Sequence, residues 1–151
     1  MSATPHTEST PSGRNILNVA LWIAQVLLCI AFAFAGLPKL TKPLADLAPA
    51  MTFVAYTPPG LVRFIGLVEL LGAIGVLLPS VTRIKPWLSP LAALGLLTVM
   101  VLATATLVAH HEAAMMIMAP VILGTLAGFV AWGRGRRSCI APRFAAQPPV
   151  G

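Results

Sequence analysis

A single carboxyl group inside an apolar segment is the feature of the sequence with the most chemical meaning. Glu69 lies near the middle of the apolar run 61–78, where a charge costs at least about 2.5–3.5 kcal/mol on insertion scales. We therefore expect Glu69 to face neighbouring helices and to have a polar partner. Gly66, Ala73 and, less closely, Gly72 share its helical face, so another helix can approach it. Glu69 is predicted either to bind a ligand or relay a proton, or to fix helix packing through a hydrogen bond.

Three further polar side chains lie at similar depth in the other apolar runs. Gln25 lies nine residues into the first run, and Glu69 lies nine residues from the end of the second. At about 1.5 Å per residue, both are roughly 13–14 Å deep. Thr98 and Thr125 have comparable positions in the third and fourth runs. The sequence therefore predicts one polar layer that contains all four side chains.

Two basic residues lie close to this region. A stripe at helical spacing runs along the first apolar segment: Gln25, Cys29, Phe32, Gly36 and Lys39. It is predicted either to line a small pocket closed by Lys39 or to end with Lys39 extended toward lipid phosphates. Arg63 lies six residues from Glu69, a poor spacing for contact within one helix. Arg63 is therefore predicted to meet lipid headgroups or Asp46 in the first loop.

Other side chains with ligand chemistry give weaker signals. His110 and His111 are adjacent, but the only other histidine is His6, near the start of the chain, so we predict no haem or metal site. Cys29 lies in an apolar run and Cys139 in a polar tail, and we predict no disulfide between them. The sequence contains no phosphate-binding loop, metalloprotease signature or nucleophile motif.

The elements that position these residues are apolar helices. Of 151 residues, 58% are hydrophobic and 9% charged, whereas soluble domains carry about 25% charged residues. A membrane-spanning helix needs about 20 apolar residues, and four runs are close to that length: 16–37, 61–78, 87–109 and 113–132. We predict an all-α integral membrane four-helix transmembrane bundle over 16–132, with close packing at Gly124 and Gly128. A disordered tail (1–15) precedes it and a basic tail (133–151) follows.

Prolines and short turns mark the predicted helix ends. Pro38 is predicted to end the first helix and Pro79 the second. The short turn at 110–112 favours antiparallel packing of the third and fourth helices. A short interfacial helix is predicted within 43–56.

The basic residues predict how the chain crosses the membrane. The net charge is +6, and seven Lys and Arg residues lie on the side of the two termini, against three on the other side: Lys39, Lys42 and Arg63. Since cytoplasmic segments are enriched in Lys and Arg, both termini are predicted to be cytoplasmic. The basic residues flank apolar runs, which favours contact with lipid and not with nucleic acid. Alternatively, Arg14 and the first run form a cleavable signal peptide, although the run is longer than usual for one.

Four segments resemble the DoxX-like family: FAFAGLPKLTKP, LVRFIGLVELLGAIGVLLP, KPWLSPLAALGLLTVMVLA and GFVAWGR. The similarity covers roughly residues 17–135, and the second segment, which contains Glu69, is its most specific part. The resemblance implies a four-helix prokaryotic membrane protein. The family features at matching positions are Gly36, Lys39, Arg63, Gly66, Glu69, Leu70 and Gly72. The turn at 110–112 departs from the family, whose members often have a basic, glycine-containing sequence there.

The resemblance also implies a function. Relatives are associated with a terminal quinol oxidase and with sulfur-compound oxidation coupled to quinone. We therefore expect an accessory or quinone-interacting component of a redox system in the bacterial inner membrane, with Glu69, Gln25 and Lys39 as its polar site. The sequence has no evident redox centre, so electron transfer needs a bound quinone or a membrane redox partner. Two alternatives stay open: a small proton-coupled transporter, as a homo-oligomer, and a structural or assembly factor without a small-molecule site.

Overall fold

The computed structural model describes residues 12–85 and 87–137, and every regular element in that part of the chain is helical. The first long helix, α1 (Ser12–Thr41), is followed by a short helix, α2 (Leu44–Leu47), and a 3₁₀ turn (Thr52–Ala55). Three long helices follow: α3 (Pro59–Thr82), α4 (Leu88–Ala109) and α5 (Ala114–Trp132). A π-helical turn (Gly133–Arg137) continues α5.

The four long helices are each long and apolar enough to cross a membrane. Their outward faces carry large apolar side chains, such as Phe34 at 77% exposure and Met115 at 84%. Such faces suit lipid, because the backbone polar groups are satisfied within each helix. The architecture is consistent with a membrane helical bundle, as the composition predicts.

The helices pack in a ring around one apolar core. α1 packs on α3, α3 on α4 and α4 on α5, while α5 contacts α1 less extensively. The largest fully buried core side chains include Leu28, Phe32, Val76, Leu96 and Val130. The short turn at 110–112 makes α4 and α5 antiparallel neighbours, as expected.

The bundle has two ends with different polar groups. A hydrogen bond between Arg134 and Asn18 brings the turn after α5 beside the start of α1. We call this end, which also contains the α3–α4 connection, the terminal end. The opposite end contains α2, the 3₁₀ turn and the α4–α5 turn, and we call it the loop end.

Two helices run past the prolines that were expected to end them. Pro38 lies inside α1 and Pro79 inside α3, so both predicted ends are wrong. A proline removes one backbone donor, but the helical pattern resumes after it, and the Lys42 N–H donates to the Pro38 oxygen at 2.9 Å. The added turns carry Lys39 and Ser80 into the bundle, where they are 5% and 2% exposed.

The chain ends fit the predicted boundaries only in part. α1 begins at Ser12, so residues 12–15 are helical and not part of a tail. Residues 1–11 and 138–151, which hold most of both predicted tails, lie outside the described residues. The short helix predicted within 43–56 is present as α2, and the 3₁₀ turn follows it.

Candidate functional site

The α1–α3 crossing depends on two glycines that face each other. A Cβ added to Gly36 would lie 2.8 Å from the backbone oxygen of Gly66. One added to Gly66 would lie 2.8 Å from the Cβ of Lys39. A Cβ atom is too large to fit at such distances, so the close contact between α1 and α3 requires glycine at both positions. The two backbones are therefore closest beside the positions of Lys39 and Glu69.

Lys39 and Glu69 form a buried ion pair next to this crossing. The Lys39 Nζ donates to Oε1 of Glu69 at 2.7 Å and to Oε2 at 2.6 Å, and the side chains are only 6% and 3% exposed. Helical side chains tilt toward the N-terminus of their own helix. Because α1 and α3 run in opposite directions, Lys39 near the end of α1 and Glu69 in α3 tilt toward each other. Lys39 therefore does not extend to lipid phosphates, which was one of its two predicted placements.

Apolar and aromatic groups of the loop end accompany the pair. The Phe53 ring, in the 3₁₀ turn, has its centroid 5.5 Å from the Lys39 Nζ. Phe53 packs against a small buried cluster of Leu47, Val54 and Val62. Such surroundings lower the local dielectric constant and strengthen the attraction between the two charges.

Arg63 braces the backbone that carries Lys39. Its Nη1 donates to the backbone oxygen of Lys39, a partner that the sequence did not predict, and its predicted contact with lipid headgroups or the first loop stays a prediction. The residue four positions after Lys39 is Pro43, which has no N–H to donate in the helical pattern. The guanidinium supplies the missing donor and places positive charge at the negative end of the α1 dipole.

A second buried polar group joins α1, α3, α4 and the turn after α5. The Gln25 Nε2 lies 2.7 Å from the Val76 backbone oxygen, 2.7 Å from the Ser80 Oγ and 2.8 Å from the Ser89 Oγ. A side-chain amide has two N–H groups, so these three acceptors share them. The Gln25 Oε1 accepts a hydrogen bond of 3.0 Å from the Arg134 Nε. We call this group the arginine cluster: Asn18, Gln25, Ser80, Ser89 and Arg134.

The predicted four-residue polar layer is wrong. Gln25 belongs to the arginine cluster at the terminal end, whereas Glu69 is bound to Lys39. Thr98 and Thr125 are exposed, and each hydroxyl donates to a carbonyl oxygen of its own helix. The depth comparison assumed that the second helix ends at residue 78, but α3 continues to Thr82, which moves Glu69 toward the loop end.

The remaining predicted packing glycines line other helix contacts. A Cβ added to Gly72 would lie 2.3 Å from the Leu96 side chain, in α4. One added to Gly124 would lie 3.1 Å from the Cβ of Met100, also in α4. Gly128 is less crowded, with its nearest such neighbour 3.8 Å away. Gly72 and Gly124 therefore sit at tight helix contacts, and Gly128 does not.

Four members of the arginine cluster are absent from the residues predicted from the sequence: Asn18, Ser80, Ser89 and Arg134. Their signal is the continuation of each buried stripe. Gly66, Glu69 and Ala73 lead at the same spacing to Ser80, and Gly124 leads along α5 to Arg134. Ending the second helix at Pro79 and the fourth at Trp132 hides both continuations. Ser89 begins the buried stripe of α4 that continues through Ala93 and Leu96. Asn18 lies seven residues before Gln25, in line with the predicted stripe of α1.

Neither the adjacent histidines nor Cys29 belongs to the Lys39–Glu69 pair or to the arginine cluster. Among the described residues, no three His, Cys, Asp or Glu side chains are placed to hold a metal ion. His110 stacks on Tyr56, with ring centroids 3.9 Å apart. Burial raises the pKa of the Tyr56 phenol, and the negative charge of Glu112 raises it further. Cys29 is a free thiol, and Cys139 lies outside the described residues.

Comparison with known proteins gives one match. The model of the DoxX-like family matches residues 23–130, which include Gly36, Lys39, Arg63, Gly66 and Glu69. No curated protein and no solved structure matches the chain.

Proposed function

The chain belongs to the DoxX-like family, and we propose that this membrane protein is a quinone-interacting accessory component of a membrane redox system. The proposal depends on one observation, the buried Lys39–Glu69 ion pair. The site comprises Lys39 and Glu69, with Arg63 as the residue that positions the Lys39 backbone. Gln25, Thr98 and Thr125 are not part of it.

Two buried charges are a costly way to hold helices together. Replacing a buried ion pair by apolar residues of similar volume is often neutral or stabilising. Gly36 and Gly66 already bring α1 and α3 into close contact without charge. Ionisable groups within membrane spans are therefore functional candidates by default, and Lys39 and Glu69 are the two that meet here.

The donor set suits a quinone headgroup. A lysine ammonium has three N–H donors, and the two Glu69 oxygens take two of them. The third can donate to a quinone oxygen, and the Phe53 ring nearby offers an aromatic surface. A bound quinone would supply a couple of two electrons and two protons. Glu69 would keep the Lys39 Nζ charged and oriented, and the apolar cluster of the loop end would exclude water.

A second candidate function is structural. Both Glu69 oxygens and the Lys39 Nζ are satisfied by each other, which is also what a helix-fixing contact requires. A protein of this kind would support the assembly of a membrane complex without binding a small molecule.

A paired substitution separates the two candidates. Lys39→Met with Glu69→Leu removes both charges with similar volume, so the bundle is expected to fold. We expect the purified wild-type chain to bind a short-chain ubiquinone or menadione in detergent, and the double variant to bind at least about tenfold less tightly. Thr98→Val, at an exposed threonine, is the matched control and should bind as the wild type does. Quinone binding by the folded double variant at wild-type affinity would contradict the proposal.

The structural candidate predicts a different pattern. It expects no quinone binding by the wild type, and normal activity of the partner complex with the double variant. It also expects Glu69→Gln to lower the amount of folded protein, because Lys39 would then be a buried charge without a counter-charge.

We propose that the chain lies in the bacterial inner membrane with both termini in the cytoplasm. The terminal end carries Arg83, Lys85 and Arg136 on its exposed surface, and segments rich in Lys and Arg stay in the cytoplasm. A membrane redox protein, or a second copy of the chain, would contact the apolar outer faces. Labelling of a cysteine introduced at Arg83 or at Asp46 by a membrane-impermeant reagent tests the orientation in intact cells. Labelling at Arg83 but not at Asp46 would contradict it.

A further inference from the structure

Arg134 is a buried cation with incomplete hydrogen bonding. The residue is 4% exposed, and its Nε and Nη1 donate to Gln25 and Asn18 at 3.0 and 2.7 Å. Its Nη2 is buried and has no hydrogen-bond partner among the described residues. Buried polar groups are nearly always paired, so an orphaned guanidinium nitrogen indicates a missing acceptor.

The chain packs tightly where it positions this guanidinium. A Cβ added to Gly133 would lie 2.4 Å from the Leu21 side chain, so glycine allows the turn after α5 to approach α1. The Arg134 Cζ lies 5.2 Å from the centroid of the Trp22 ring, a distance at which the ring attracts the cation. The Arg134 guanidinium is therefore held by packed side chains and is not an exposed group at a helix end.

No described acidic side chain compensates this charge. The described acids are Asp46, Glu69 and Glu112, and Glu69 is bound to Lys39. Asp46 and Glu112 belong to the loop end, on the opposite side of the bundle. Among the described residues, Arg134 is hydrogen-bonded to the amide dipoles of Gln25 and Asn18 and to no acidic side chain, so an anion from outside would find an unneutralised positive charge.

The guanidinium is itself buried, but the groups that contact it reach the surface of the bundle. Asn18, which receives the Nη1 hydrogen bond, is exposed, and Trp22 is half-buried. Arg134 lies two residues before the end of its apolar span, Ala114–Arg136, which is the depth of lipid headgroups. Exposed Val19 and Ile23 provide apolar surface beside this region of α1.

We propose that Arg134 binds a phosphate group at the terminal end, supplied by an anionic lipid headgroup. The remaining guanidinium N–H groups match phosphate oxygens, which arginine recognises through paired hydrogen bonds. The exposed Arg83 and Lys85 at the same end attract anionic lipid to it. The acyl chains would lie along the apolar face of α1. This site is separate from the Lys39–Glu69 pair and does not depend on quinone binding.

The test titrates the purified full chain, in an uncharged detergent, with three probes. These are short-chain phosphatidylglycerol, short-chain phosphatidylcholine and inorganic phosphate, with the thermal unfolding midpoint and tryptophan fluorescence as readouts. Trp22→Phe identifies the part of the fluorescence change that arises beside Arg134. The variants are Arg134→Gln and Arg134→Lys, and the matched control is Arg136→Gln, which removes one exposed positive charge from the same turn.

We expect saturable binding of phosphatidylglycerol, stronger than that of phosphatidylcholine. Arg134→Gln should weaken it about ten- to a hundredfold, the effect of losing one charged hydrogen bond. Arg136→Gln should bind within about threefold of wild type, since an exposed charge contributes little. Inorganic phosphate that saturates the same signal and blocks the lipid would support the phosphate site and identify the free anion as its source.

Two results would overturn the proposal. One is that the wild type responds equally to phosphatidylglycerol and phosphatidylcholine, and not to inorganic phosphate. The other is that Arg134→Gln binds phosphatidylglycerol as the wild type does. If Arg134→Gln does not fold, Arg134→Lys decides the outcome: it keeps the charge but loses the paired donors, so unchanged lipid affinity would contradict the geometry proposed.

Discussion

The two ends of the bundle bury charge in opposite ways. At the loop end, Lys39 and Glu69 carry opposite charges and satisfy each other. At the terminal end, Arg134 is equally buried, but in the described part of the chain it is hydrogen-bonded to the dipoles of Gln25 and Asn18 and has no acidic partner. The Lys39–Glu69 pair has no net charge, so one substitution in it leaves the other residue as a buried charge without a partner. Arg134 is a buried cation bonded to neutral amides, so an anion from outside the chain is needed to neutralise its charge.

The largest expected effect is at the neutral pair. Glu69→Gln removes the counter-charge of Lys39 and should lower the free energy of unfolding by about 3–5 kcal/mol. Lys39→Met combined with Glu69→Leu should stay within about 1 kcal/mol of wild type, because no charge is left unpaired. Unfolding in mixed micelles with increasing sodium dodecyl sulfate measures both. Equal stability of Glu69→Gln and wild type would show that Lys39 finds another partner.

A smaller effect is expected at the crossing that brings the pair together. Gly36→Ala places a methyl group against the backbone oxygen of Gly66 and should lower the free energy of unfolding by about 1–3 kcal/mol. Gly95→Ala is the control, since a Cβ at Gly95 has no neighbour within 4 Å. It should stabilise α4 by up to about 1 kcal/mol. The same unfolding assay applies, and equal effects of the two substitutions would rule out a tight α1–α3 contact.

The arginine cluster should be less sensitive to a single polar deletion. The Ser89 Oγ contacts Gln25, Ser80 and the Val76 backbone oxygen, so Ser89→Ala should lower the free energy of unfolding by about 1 kcal/mol. Thr98→Val removes a hydroxyl that only bonds its own helix and should change stability by less than about 0.5 kcal/mol. A larger loss of unfolding free energy for Thr98→Val than for Ser89→Ala would contradict this comparison and support the polar layer predicted from the sequence.

The smallest effect is a titration outside the spans. Tyr56 is the only tyrosine, so its phenolate absorbance reports one group. Its pKa should exceed the ordinary value of 10.0 because of burial and then Glu112. Glu112→Gln should lower it toward that value, whereas Asp46→Asn should leave it unchanged. The stability contributed by the raised pKa is complete below the ordinary value and is lost as the pH rises through the folded-state value.

Helical spacing in the sequence predicts correctly which side chains face the interior of the bundle. Of the predicted stripe, Gln25, Phe32, Gly36 and Lys39 are buried and Cys29 is half-buried, as helical spacing predicts for one inward face. Glu69 faces the bundle with Gly66 and Ala73 for the same reason. The partner of Glu69 is not predictable from depth alone. Pro38 and Pro79 lie inside helices, so α1 and α3 are longer than predicted and depths counted from the predicted ends are displaced.

The order of apolar runs and the period of small and polar residues determined, without any coordinates, that this chain forms four long apolar helices with Glu69 turned inward. Those properties are local, because hydrophobicity and helical spacing act within one segment. Which charges meet was decided only by the packing of the helices. Lys39 reaches Glu69, and Arg134 reaches Gln25, across separations of 30 and 109 residues. Such contacts depend on helix ends, crossing points and side-chain tilt, and these are properties of the assembled bundle.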